Sequence, residues 1–159
     1  SPPITGLVGE EKRTDPKEVK MKKLLLISNH PPTNWSEEQK KEWDEIVYIP
    51  FPNVPPEMSR EEVRLLADQI CKEIEKITGG YFSDTHYDGY TFWCPVFYGA
   101  QNWRICIQGE YTLCAEIFSR FGNCPDRLVF PTTERRVEEI RKEDGSVEKR
   151  SVFRFIKWR

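Results

Sequence analysis

The sequence predicts an α/β fold with a mainly parallel sheet and a C-terminal β-hairpin. Three features carry that reading. Short apolar runs alternate with capped or amphipathic segments in the order strand, helix, strand, helix, strand, helix, strand. The first of these runs is continuously apolar, the pattern of a strand covered on both faces. After residue 136 the chain changes to two β-rich segments around an Asp144-Gly145 turn.

Residues 1–20 are rich in proline, glycine and charge and precede a Met21-Lys22-Lys23 that reads as a natural start. They are expected to be a flexible extension or an expression remnant, with one domain over 21–159. Lys22 to Ser28 is the first buried strand, ended by Asn29-His30-Pro31-Pro32. Ser36 and Gln39 are spaced as a capping box for a short polar helix through Trp43, and Glu45 to Pro50 is the second strand. Three prolines make Phe51 to Pro56 a loop. Ser59 and Glu62 then open a helix in which Val63, Leu66, Ala67, Ile70, Ile74 and Ile77 recur at helical spacing, and Gly79-Gly80 stops it.

The aromatic stretch at 81–102 lacks a clean period and reads as an irregular insertion or an aromatic hairpin. Trp103 to Ile107 is a strand, followed by the Gln108-Gly109-Glu110 turn and a helix from Tyr111 to Phe121 that Gly122 ends. Leu128 to Phe130 is a further brief strand broken by Pro131. Val137 to Lys142 and Val147 to Trp158 form the hairpin, because D-G is a favoured hairpin turn.

Composition narrows the function classes. The chain has 159 residues, with 24 Lys+Arg against 26 Asp+Glu, and a net charge of -2 gives no basis for coating long nucleic acid. The positive excess is local: residues 1–100 carry 12 Lys+Arg and 17 Asp+Glu, whereas 132–159 carry nine and six. No apolar run approaches the roughly 18–20 residues that span a bilayer, which argues against a membrane helix or secretory signal. Five cysteines without a C-x-x-C pair indicate a cytoplasmic protein whose Cys71, Cys106 and Cys114 are small core hydrophobes; Cys94 and Cys124 leave one bridge open. His30 and His86 sit in no metal-binding pattern, so no metal or cofactor is expected.

In parallel sheets ligands sit outside the carboxyl ends of the strands. That rule selects Ser28-Asn29-His30, the Pro50–Pro56 loop, Gln108-Gly109-Glu110-Tyr111-Thr112 and Thr132-Thr133-Glu134-Arg135-Arg136. At the third, Gly109 allows close backbone approach and a helix start offers N–H groups to an anion; the alternative is a tight turn with a polar helix start. It is not a P-loop, since neither G-x-x-x-x-G-K-[ST] nor G-x-G-x-x-G occurs. The fourth offers hydroxyls, a carboxylate and two guanidiniums suited to a phosphodiester, or else a solvated strand with Glu134 paired to Arg136. His30 could move a proton or serve only as a turn residue held by the prolines after it.

The segments KKLLLISNHPPTNWSEEQ, IQGEYTLCAEIF, PTTERRVEE and SVFRFIKW resemble, in order and spacing, the small stand-alone CRISPR-associated CARF-type ring nucleases. The resemblance covers residues 21–50 and 103–159 and departs from the family in the aromatic stretch, which could be a lid, a stacking surface or a dimer contact. It implies a Rossmann-like three-layer domain and a homodimer that binds cyclic tetra-adenylate or cyclic hexa-adenylate. It further implies metal-independent cleavage of this second messenger of type III CRISPR antiviral defence, by attack of a ribose 2′-hydroxyl on the adjacent phosphate. On this resemblance His30 would protonate the leaving oxygen, Arg135 would clamp phosphate and Glu134 would orient it or accept from the 2′-hydroxyl. Ser28, Asn29, Gln108, Gly109, Glu110, Thr112, Thr132, Thr133 and Arg136 would hold phosphate or ribose. A non-catalytic sensor or sponge would use the same residues, and an interaction protein would instead use Phe82 to Trp103 as an aromatic patch.

Overall fold

The computed structural model describes residues 21–86 and 93–159. The chain runs β1 (Lys23–Ser28), α1 (Glu37–Lys40), β2 (Glu45–Pro50), α2 (Arg60–Thr78), β3 (Tyr81–His86), β4 (Trp93–Tyr98), β5 (Trp103–Gln108), α3 (Tyr111–Ser119), β6 (Pro131–Arg141) and β7 (Val147–Trp158), with 3-10 turns at Pro32–Asn34 and Pro125–Arg127. It is mixed α/β: a parallel sheet of order β2-β1-β5 and two antiparallel hairpins, β3-β4 and β6-β7.

The apolar run of β1 is continuous because both faces of the sheet are covered. Leu25 and Ile27, with Ile105 and Ile107 of β5, pack on Val63, Ala67, Ile70 and Ile74 of α2 and on Leu113 and Ile117 of α3. Leu24, Leu26 and Cys106 on the other face pack on Trp35, Trp43, Tyr48, Val129 and Trp158. The spacing of apolar residues thus reads out directly as two cores on either side of three strands.

Helix ends follow their capping residues. Ser59 Oγ accepts the Glu62 amide while the Glu62 carboxylate accepts the Ser59 amide, and Gly79 closes α2 at a φ of 79°. Ser36 Oγ accepts the Gln39 amide, yet α1 ends at Lys40, short of the expected Trp43, because it is a single turn without a buried face.

The expected strand at Leu128–Phe130 is a single parallel bridge from Leu128 to Ile105. Val129 N–H still donates to the Ile105 carbonyl, but Phe130 N–H turns away to the Arg159 carbonyl at 2.7 Å, which commits the chain to the terminal hairpin. That hairpin is longer than expected, since pairing runs from Pro131–Trp158 to Arg141–Val147 with an irregularity between Thr132 and Thr133.

The aromatic stretch forms a hairpin tied to the core. Phe97 is buried and its ring lies 4.7 Å from Phe82 and 5.3 Å from Phe121, while Tyr81 and Tyr98 stack at 5.0 Å on the exposed side. Residues 87–92, at the centre of the expected lid or patch, lie outside the described residues, as does the extension at 1–20. Cys71, Cys106 and Cys114 are buried free thiols, and burial pushes those of Cys71 and Cys106 up to about 12. Cys124 is also a free thiol, with Sγ 3.6 Å from the Phe97 carbonyl. Among the described residues no helix is long and apolar enough to cross a membrane.

Candidate functional site

Parallel register brings three strand ends level: Ser28 of β1 stands opposite Pro50 of β2 on one side and Gln108 of β5 on the other. Three of the four sequence-selected clusters therefore meet at one edge of the sheet. Ser28 is buried, and its hydroxyl accepts the His30 amide at 3.2 Å, turning the chain at the strand end. The Ser28 carbonyl accepts both the Phe51 amide and the Tyr48 hydroxyl at 3.0 Å. Asn29 and His30 are left exposed beside the row, as are Gln108 and Glu110.

Phe51 is buried beneath this edge against Gly109. A Cβ at position 109 would lie 2.5 Å from three atoms of the Phe51 ring, so glycine is required there for close packing rather than for an unusual φ. Next to it a crevice of about 430 Å³ opens between the proline loop, the start of α2 and the start of α3, with Val54, Met58, Arg60, Glu110 and Thr112 on its walls. A second crevice, about 320 Å³, lies at the opposite edge of the sheet between Lys22, Trp43, Arg104 and Trp158, away from the strand carboxyl ends.

The expected anion seat at α3 is already filled. Glu110 Oε2 accepts the Leu113 amide at 2.8 Å, and this backbone N–H holds the carboxyl below the usual glutamate range. A phosphate approaching the same N–H groups meets a carboxylate first. Of the two sequence-level readings of this turn, the capped polar helix start is the one observed.

The fourth cluster stands elsewhere. Thr132, Thr133, Glu134, Arg135 and Arg136 lie inside β6, paired with β7, and not in a loop past a strand end. Thr132 Oγ1 donates to the Lys157 carbonyl, Arg135 donates to Ser151 Oγ at 2.9 Å, and Arg136 pairs with Glu134 at 3.4 Å. Among the described residues no hydrogen bond or ion pair joins this cluster to Ser28–His30 or Gln108–Thr112. The reason is topological: Trp158 fastens the hairpin to the sheet face that carries Leu24, Leu26 and Cys106, through rings 5.4 Å from Trp35 and 5.5 Å from Trp43 and an indole N–H donated to the Gln39 carbonyl.

Arg60 is the crevice residue that sequence reasoning missed. It is the first residue of α2 and donates Nε to Glu116 Oε1 at 3.2 Å, as does Arg64. Its position directly after the Ser59 cap, at the far end of a strand-end loop, was the available signal. Among the described residues no group of three His, Cys, Asp or Glu is arranged to hold a metal ion.

A family model described as the Uncharacterized protein MJ1673 family matches residues 22–83 and 93–159. No curated protein and no solved structure matches the chain.

Proposed function

The chain belongs to the MJ1673 family, and from the resemblance of its sequence to the CARF-type ring nucleases, together with its strand-end geometry, we propose that it is a cytoplasmic ring nuclease that binds and cleaves cyclic oligoadenylate in type III CRISPR defence. The observation that carries the reading is the level row of Pro50, Ser28 and Gln108 with Asn29 and His30 exposed beside it. Two covered sheet faces support the finer description as a Rossmann-like three-layer domain of the CARF type. The ring would lie over this edge as a symmetric ligand on a homodimer. In the reaction a ribose 2′-oxygen bonds to phosphorus and loses its proton to solvent. The bond to the 5′-oxygen breaks, and His30 supplies the proton that this oxygen takes up.

Ser28 acts here through the chain, since its hydroxyl fixes the turn that presents His30. Asn29, Gln108 and Thr112 would donate to phosphate or ribose, and Arg60 is the cation beside the crevice. Arg135 and Arg136 are committed to Ser151 and Glu134 on the hairpin, and Glu110 fills the α3 start. That arrangement favours a second reading, in which the protein holds the messenger without cutting it. Labelled cyclic tetra-adenylate and cyclic hexa-adenylate, incubated with the protein in EDTA and resolved for products, separate the two. Cleavage that falls by roughly 10²–10⁴ in His30→Ala with binding retained supports the nuclease; binding without product supports the sponge; no binding of either ring overturns both.

A further inference from the structure

The outer edge of β6 is unpaired among the described residues. The strands β6 and β7 form a two-stranded sheet of their own, β7 is the strand against which α1 packs, and Thr133 through Glu139 are all exposed. A two-stranded hairpin is marginal by itself in water, and a long free edge is a template for another strand. Along this edge Arg135-Arg136-Val137-Glu138-Glu139 is a charge sequence that complements its own reverse.

We propose that β6 pairs antiparallel with β6 of a second copy about a two-fold axis at Val137, giving a four-stranded sheet β7-β6-β6-β7. Centred there, Arg135 stands opposite the partner's Glu139 and Arg136 opposite the partner's Glu138. Symmetry doubles these into four opposite-charge pairs around two facing valines. Opposed residues must share a pleat face, so the centre moves only by whole residues. Centring on Arg136 sets Glu134 against the partner's Glu138, and centring on Glu138 sets Arg135 against the partner's Arg141. Centring on Arg135 or Glu139 faces like charges across the axis. Centring on Ile140 also opposes Glu139 to the partner's Arg141 but pairs only residues 139–141 of β6, against 133–141 for the Val137 centre, so charge and strand overlap together select that register.

Two of the four charges are unpaired and two would exchange partners. Glu138 and Glu139 make no ion pair among the described residues, Arg135 is held by a neutral hydroxyl, and Arg136 would exchange its exposed pair with Glu134 at 3.4 Å for the partner's Glu138. Val137 is 61% exposed and shares its face with Phe153, 68% exposed, and Val147, because Arg135 pairs with Phe153 and Arg141 with Val147. Pairing two β6 strands sets the two Val137 side chains beside each other, with Phe153 of each copy as the diagonal neighbour across the hairpin.

This inference rests on the hairpin alone, so ring cleavage by a dimer that forms without β6 would overturn it and leave the proposed function standing. The test is sedimentation equilibrium on the wild type, on Arg135→Glu/Arg136→Glu and on Glu138→Arg/Glu139→Arg, with circular dichroism confirming the fold of each. The wild type is expected to dimerise, and each variant alone to dimerise at least about tenfold more weakly, because like charges then face each other. An equimolar mixture of the two variants should recover a dimer with one copy of each, and a variant exchanging all four charges should recover a homodimer. A monomeric wild type, variants that dimerise as it does, or failure of both recoveries overturns the proposal.

Discussion

The Glu110 carboxylate accepts the Leu113 amide at 2.8 Å, so the amino end of α3 carries its own anion at the edge where a ligand phosphate would be expected to sit. Glu110→Ser keeps an oxygen at the cap and removes the charge. It should leave the melting temperature nearly unchanged and tighten binding of a phosphate-bearing ligand several-fold, by calorimetry. Glu110→Ala loses the cap and should cost about 1 kcal/mol in denaturant unfolding. Because the folded carboxyl lies below its ordinary range, its contribution is complete above the usual glutamate range and lost as pH falls through the lowered value.

Gly109→Ala tests how closely α3 must approach the proline loop. The new methyl would meet the buried Phe51 ring at 2.5 Å, and that ring has no solvent to turn into. A loss of about 1–3 kcal/mol is expected from overpacking. Gly109→Ala/Phe51→Leu should recover part of it, which a double-mutant cycle by urea unfolding measures.

Glu116 is a buried carboxylate that joins the two helices on one face of the sheet. Burial would raise it, but hydrogen bonds from Arg60 and Arg64 outweigh burial and hold it below the usual range. Arg120, itself paired with Asp68 at 2.9 Å, adds a third guanidinium 3.6 Å away. Glu116→Ala leaves these cations clustered and should cost about 2 kcal/mol. The sign follows from the lowered folded value: the stabilisation is present above the unfolded glutamate range and disappears on acidification through the folded one. The gap between wild type and variant should therefore close at low pH in unfolding curves.

Trp158→Ala removes the anchor of the hairpin, a ring packed on Trp35, Trp43 and Phe155. A loss of about 3 kcal/mol is expected. Hydrogen exchange should rise across β6 and β7 while β1 and β5 keep their protection. Uniform loss of protection would show that the hairpin and the sheet unfold as one unit.

Local signals in the chain that concern a residue and its near neighbours were legible. Ser59 and Glu62 form the box that their spacing announces, Gly79 adopts the left-handed conformation at the end of α2, and Asp144-Gly145 closes the hairpin. Ser28, Asn29, His30 and Gln108 were selectable as strand-end residues because each follows directly on an apolar run. What α3 offers a ligand was not legible, since Gln108-Gly109-Glu110 is equally a phosphate turn or a carboxylate cap until the side chain's direction is known. Arg127 was invisible for a similar reason: it is buried, donates to the Gly99 and Ala100 carbonyls and lies 5.1 Å above the Phe97 ring, all partners far away in sequence.

The strands β1, β2 and β5, the two-sided burial of β1 and the helix limits at Ser59 and Gly79 were determined by the sequence itself, because hydrophobic period and capping act over a few residues. Only the tertiary structure decided which clusters meet. Parallel register set Ser28 level with Gln108, whereas one aromatic anchor, Trp158, carried Thr132 to Arg136 onto a separate hairpin. Long-range pairing and packing choose among placements that local sequence leaves equal in energy, and the contents of the candidate site depend on that choice.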